Sequence, residues 1–225
     1  ASVANVNKSL VLKKKIIFLG GPSSSGKTTS SRKLALYLNA LGKKTIKISL
    51  DDYYKELEEI KPDENGKRDF ENLSSLDLNL FRHQMTDLLN GKSVTLPKYT
   101  FATASKSFNS DPVCITKDTV LIIEGLHCLN EVVSKNIEKK DKYKVYVSPF
   151  TPLTLDRHNY ISTTENRLLR RIVRDNRTRG VNVEKTLETW EDVREGEEKY
   201  IFPYTDEADV VLNTSYIYEI GVLKV

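Results

Sequence analysis

The chain has 225 residues, 39% of them hydrophobic and 29% charged, an ordinary globular composition that fills one α/β core and gives no sign of a second. Its longest apolar runs, such as Val120 to Ile123, are too short to span a bilayer, and no secretory signal pattern opens it, so a cytoplasmic protein is expected. Thirty-five basic against 31 acidic residues leave a formal charge of +4, too mild for a nucleic-acid footprint by itself.

In chain order, residues 1–10 carry little pattern and read as a linker. Lys15–Leu19 is a short apolar strand, followed by "GGPSSSGKTT" and a helix over Lys27–Leu41 in which Leu34, Leu38 and Leu41 recur at helical spacing. Lys44–Ser49 is a second strand, with a short helix near Asp52–Glu58 and then a polar loop, "IKPDENGKRDFENLSS". A helix over Leu76–Leu89 stops at Asn90-Gly91. Within residues 93–115, "SVTLPKYTF" and "VCIT" predict two antiparallel strands around a polar tip at 102–111. Thr119–Glu124 and Lys142–Val147 read as buried strands. An arginine-rich helical tract over Leu153–Arg179, a helix over Val183–Lys199 and a strand over Asp209–Asn213 complete the pattern. Alternating strands and helices predict a parallel sheet flanked by helices, with residues 93–115 as a small hairpin insertion. Cys114 and Cys128 lack metal-ligand spacing and are expected to be buried free thiols. The absence of an initiator Met and the apolar last residues suggest a piece of a longer protein.

The loop reads G-x-x-x-x-G-K-[ST] from Gly21, with Gly26, Lys27 and Thr28 closing the pattern between a strand and a helix. Glycines let successive backbone N–H groups converge on phosphate oxygens, and the following helix adds its positive end. Gly21, Ser23, Ser24, Ser25, Gly26, Lys27, Thr28 and Thr29 are thus the expected nucleotide-binding positions. Lys27 would reach the β- and γ-phosphates, and the Thr28 hydroxyl would ligate Mg²⁺.

In a parallel sheet ligands bind beyond the carboxyl ends of the strands. After the second strand comes "SLDDYY", which places Asp51 or Asp52 near the phosphates as proton acceptor or metal ligand, or equally as a helix cap. Glu124 closes an apolar run, where a Mg²⁺-binding acid is expected and where an unpaired carboxylate would be costly. Arg167, Arg170, Arg171 and Arg174 fall at i, i+3, i+4 and i+7, one face of a helix whose other face carries Leu168, Leu169, Ile172 and Val173. Gly180 ends the tract. Such a face neutralises charge on a transferring phosphoryl group, and as a lid over residues 153–180 it would exclude water, which favours a kinase over a hydrolase. No Asn-Lys-x-Asp guanine signature and no H-R-D or D-F-G set is present.

The ordered set "GGPSSSGKTT", "SLDDYY", "DFENLSSLD", "LPKYTF", "LIIEG" and "RLLRRIVRD" resembles the uridine kinase and phosphoribulokinase family over about Lys15 to Asn213. The resemblance implies a doubly wound P-loop kinase that passes the γ-phosphate of ATP to a sugar hydroxyl with Mg²⁺. It places Asp51 at the catalytic aspartate, which also touches the metal, Thr28 and Glu124 at the other metal positions, and Arg167, Arg170 and Arg174 in the lid. Tyr54, Tyr99 and Phe101 fall on acceptor-pocket aromatics. Glu71 stands where the family has a ribose-gripping aspartate, and Ala104 where it has a base-reading histidine. The segment from His158 and Asn159 onward resembles a bacterial branch in which the kinase follows domains like the accessory domains of threonyl-tRNA synthetase, and His158 could replace the contact missing at Ala104. Expected partners are therefore a small nucleoside or sugar acceptor, N-terminal accessory domains and self-association into a homo-oligomer. Other readings are a nucleotide sensor without turnover and an RNA-binding role for the arginine face. His83 is expected at the surface, His127 within reach of the site, and Trp190 and Tyr200 in the core.

Overall fold

The computed structural model describes residues 13–62, 68–101, 103–150 and 160–223. Its centre is β1 (Ile16–Gly20), buried along its whole length. A strand covered on both faces needs no polar alternation, and "IIFLG" has none. β1 pairs in parallel with β5 (Thr119–Glu124) on one side and β6 (Lys142–Ser148) on the other. β2 (Lys44–Ser49) extends the sheet beyond β5, and β7 (Val210–Asn213) extends it beyond β6, giving the order β2-β5-β1-β6-β7. β6 is buried throughout although it contains Lys142 and Lys144. Both ammonium groups reach the Glu131 carboxylate, at 2.8 and 2.7 Å.

Successive side chains of a strand point to opposite faces. Ile16, Phe18, Ile48, Leu121 and Ile123 pack on one side with Phe81, Met85 and Leu88 of α2 (Leu78–Leu89). Ile17, Leu19, Val120, Ile122, Val145 and Leu212 pack on the other with Leu34, Ala35 and Leu38 of α1 (Lys27–Ala40). The register aligns Leu19 with Glu124 and Ser49 with Glu124 across neighbouring strands. The glycine loop, the Asp51 segment and Glu124 therefore emerge at one edge of the sheet.

Several boundaries differ from the sequence expectations. Asp77 caps α2 by accepting from the Leu80 N–H at 3.0 Å, so the helix starts two residues late. The expected helix near Asp52–Glu58 is two 3₁₀ turns, Leu50–Tyr53 and Leu57–Glu59. In the hairpin, β3 (Lys98–Thr100) pairs with β4 (Ser105–Ser107), not with "VCIT", of which Val113 alone bridges to Val94. "SKS" has no apolar alternation, so its pairing is set by the short connection. Cys128 is buried as expected, whereas Cys114 is exposed.

After α3 (Glu131–Ser134), the arginine tract forms α4 (Thr163–Arg179), opened by a reciprocal cap between Ser162 and Glu165 and closed by Gly180 in the left-handed region, φ 66°. The part of the predicted tract over residues 153–159 lies outside the described residues. The single helix expected over Val183–Lys199 is two, α5 (Val183–Glu188) and α6 (Trp190–Tyr200), separated at Thr189, whose hydroxyl turns back to the Lys185 and Thr186 carbonyls. A last short helix, α7 (Glu219–Leu223), packs on α4. Among the described residues no helix is long and apolar enough to cross a membrane.

Candidate active site

The loop between β1 and α1 is shaped by two glycines. A Cβ on Gly21, φ 153°, would lie 2.2 Å from the Val147 carbonyl oxygen, and Gly26 adopts φ 93°, a region that disfavours other residues. Lys27 folds back over the loop and donates to the carbonyls of Gly21 and Pro22 at 2.9 and 3.0 Å. Burial lowers its pKa against the opposing pull of Glu124 and Asp51. Thr28 Oγ1 donates to Glu124 Oε1 at 2.8 Å. The two residues expected to share a metal are thus already in contact.

The structure separates the two candidate aspartates. Asp52 accepts from the Tyr99 N–H at 3.2 Å and pairs with the Lys98 ammonium at 3.1 Å, so it anchors the hairpin. Asp51 faces the loop, in the field of Lys27 and Glu124. Burial pushes its carboxyl up to about 6, Lys27 pulls against this, and Glu124 adds to it. The hard oxygens of Thr28, Glu124 and Asp51 suit Mg²⁺, which keeps water and phosphate ligands, and two like-charged carboxylates in one field favour a cation between them. Among the described residues no group of three or more His, Cys, Asp or Glu side chains forms a self-sufficient metal site.

The arginines of α4 meet the loop, but largely through protein partners of their own. Arg167 is fully buried, in a two-pronged pair with Glu197 of α6 whose Nη2–Oε2 contact is 2.8 Å. It also donates to the Ser23 carbonyl at 3.2 Å and lies over the Trp190 ring. Arg170 donates to the carbonyls of Ser24 and Ser25, both at 3.4 Å, to that of Thr214 at 2.7 Å and to Glu219 at 2.8 Å. Arg171 donates to Ser23 Oγ at 2.9 Å. Asp175, buried one turn on, gathers Arg171, Arg174 and Arg179. Of the expected apolar face, Leu168, Ile172 and Val173 are half-buried and Leu169 alone is 39% exposed, while Arg167 is inside. A glutamate partner and a loop carbonyl explain the burial of Arg167: buried arginine is stable only when paired.

One cavity borders the loop and another lies against α6. One, of about 540 Å³, lies between Gly26–Ser30, α4 residues Arg170, Val173, Arg174 and Arg177, and the segment after β7, and has the size of a nucleotide site. The other, of about 380 Å³, lies between residues 68–71 and α6 and includes Glu71. Burial raises the pKa of Glu71, with Lys27 pulling against it and Asp51 adding to it. Tyr54 donates to the Phe70 carbonyl at 2.9 Å, and its ring packs against Phe70, Tyr99 and Phe101, the last of these 62% exposed. Ala104 sits in left-handed backbone, φ 48°, packed on the core. His158 and Asn159 lie outside the described residues. Thr29 is exposed beside the loop, and His83 is at the surface as expected. His127 is buried with its ring edge-to-face on Tyr200, and burial drops its pKa to about 4.

Sequence reasoning passed over three residues here. Arg179 lowers the Asp51 pKa from the far end of α4. Thr214 hydrogen-bonds Ser25 and follows β7 directly, so attention to strand ends would have found it. Glu197 sits in "REGEEKY" among other glutamates, and nothing in the sequence marks it.

A five-stranded parallel sheet with a glycine loop after its central strand defines a P-loop kinase fold. The chain belongs to the phosphoribulokinase / uridine kinase family, whose model matches residues 16–218. It is 27% identical to a uridine kinase of Staphylococcus epidermidis over 88% of this chain and 86% of that protein. It is 29% identical to uridine-cytidine kinase A of Dictyostelium discoideum, over 88% of this chain and 35% of that protein. Among solved structures it resembles one described as a possible uridine kinase of Bacillus stearothermophilus, TM-score 0.54 at 19% identity over 94% and 97% of the two chains. It also resembles a D-glycerate 3-kinase of Cryptococcus neoformans, TM-score 0.51 at 16% identity over 89% and 82%.

Proposed function

We propose that the chain transfers the γ-phosphate of ATP to the 5′-hydroxyl of a nucleoside, uridine or cytidine being the first candidates. The observation that carries this reading is Asp51: a carboxyl held at about 6 in the field of Lys27 and Glu124, just beyond the end of β2 that pairs with Glu124. The named relatives support the acceptor class. In the reaction Asp51 accepts the proton of the acceptor hydroxyl as its oxygen attacks the γ-phosphorus and the bond to the ADP oxygen breaks. Lys27 and the loop amides hold the phosphates in line, Arg171 and Arg179 add positive charge on the acceptor side, and Glu71 accepts hydrogen bonds from sugar hydroxyls. Mg²⁺, which Thr28 and Glu124 would hold with phosphate oxygens, supplies charge neutralisation. A second reading, a kinase for another sugar or small alcohol, is favoured by Ala104, which offers the acceptor no polar side-chain atom.

The test is ADP release from Mg·ATP with a panel of nucleosides, free sugars, glycerate and no acceptor. Stimulation by a pyrimidine nucleoside is expected. Stimulation by a sugar or glycerate alone supports the second reading, and a flat panel with demonstrable ATP binding removes both in favour of a nucleotide sensor.

A further inference from the structure

Ser23, inside the nucleotide loop, is held through every polar group it has. Its N–H donates to Glu197 Oε1 at 3.0 Å, its carbonyl accepts from Arg167 at 3.2 Å, and its hydroxyl accepts from Arg171 at 2.9 Å. Glu197 is 2% exposed and divides one carboxylate between the loop amide and the Arg167 guanidinium. α6 also buries Trp190 and Val193, so the grip ties the loop to a helix that is packed at other positions too. Its effect is to fix the loop to α6.

The residue before Glu197 is Gly196, buried in the middle of α6. A Cβ there would lie 3.3 Å from both Cβ and Cγ of Glu71, closer than ordinary van der Waals contact. One turn further on, Tyr200 donates to Asp69 at 3.0 Å and accepts from Asn72 at 3.1 Å, so the Glu71 segment is pinned to α6 at two levels. Adjacent helix residues rise only about 1.5 Å along the axis. Whatever displaces Glu71 against Gly196 is therefore delivered, one residue away, to the carboxylate that holds Ser23.

We infer that α6 couples the acceptor site to the nucleotide loop, with Glu197 as a positioning residue for the loop and Gly196 as the contact through which Glu71 acts on it. The inference rests on the reading of Glu71 as an acceptor ligand. Coupling of this kind is reciprocal, so acceptor binding changes ATP affinity by the factor by which ATP changes acceptor affinity.

The decisive variant is Gly196→Ala, which gains helix propensity and adds only one methyl against Glu71, with its fold checked by circular dichroism. The probe is a non-hydrolysable ATP analogue with Mg²⁺ and no acceptor, titrated alongside amide hydrogen exchange of the loop. The expected result is a rise of about fivefold in analogue Kd and faster exchange across residues 21–26, with Glu197→Gln giving a larger rise and the double variant no worse than Glu197→Gln alone. Glu191→Ala, on the exposed face of α6, should match wild type. If Gly196→Ala leaves analogue binding and loop exchange unchanged, the coupling does not exist. Should Glu197→Gln fail to fold, Gly196→Ala decides alone. These measurements need no acceptor, so a flat acceptor panel would overturn the proposed function while this inference is judged separately.

Discussion

Asp51 is the residue on which stability and chemistry conflict. Its carboxyl at about 6 means that between the ordinary carboxylate value and pH 6 the folded protein binds a proton that the unfolded chain has lost. The stability this contributes is complete at low pH and is lost as pH rises through 6. Asp51→Asn should therefore be more stable than wild type at pH 7.5, by about 1–2 kcal/mol after allowing for partial solvent access, with the gain vanishing below about pH 4. Chemical denaturation at the two pH values checks this. The same variant should lose turnover by at least about a thousandfold while binding ATP normally. In the wild type, kcat/KM should fall below about pH 6, where Asp51 takes up its proton; an acid limb near pH 4 would assign the base elsewhere. Arg179 is 56% exposed in its side chain, so Arg179→Ala should leave stability within about 0.5 kcal/mol. Its loss removes a positive charge from the Asp51 field, moving the acid limb upward; an unmoved limb would exclude Arg179 from the site. At this scale the motif made Lys27 and Thr28 legible. Position alone leaves Asp51 and Asp52 even, and only the family resemblance favours Asp51, because the role of Asp52 depends on a hairpin amide 47 residues away.

At the scale of elements, α4 shows where periodicity misleads. Its arginine spacing is helical, and the helix exists, but spacing assigns all four arginines to phosphate and none to a buried protein partner. Arg167 is inside because Glu197 and the Ser23 carbonyl satisfy it, and both lie far off in sequence. Arg167→Ala strands a buried glutamate and should cost about 3–5 kcal/mol by denaturant unfolding. Leu169→Gln, on the exposed side of the same helix, should cost under about 0.5 kcal/mol. Equal costs would mean that the helix is docked the other way round. The strands were read well because a buried parallel strand is a run of apolar residues. β4 is not legible because its three residues carry no such signal, nor is the break between α5 and α6, because no Gly or Pro marks Thr189.

For the whole molecule, alternation of strands and helices was enough to give the parallel sheet, but not the strand order. That order matters for function: by putting β1 between β5 and β6, it brings Gly20, Ser49 and Glu124 to one edge and so assembles the site from three loops. Cys114 and Cys128 give a global check on packing. A thiol reagent should modify one cysteine rapidly and the second only on unfolding, whereas two fast thiols would mean that the β5 edge is open.

The attachment of α4 to Ser23, Ser24 and Ser25 divides that helix into unequal halves. Arg167 and Arg170 are fastened to the loop, while Arg177 and Arg179 stand exposed at the far end. A protease that cuts after arginine meets these two populations differently. Within α4, brief trypsin treatment should cleave first after Arg177 or Arg179, with nucleotide slowing that cut, and the nicked protein should keep its first three helical turns in place. Early cleavage after Arg167 or Arg170 would show instead that the helix leaves the loop as a whole.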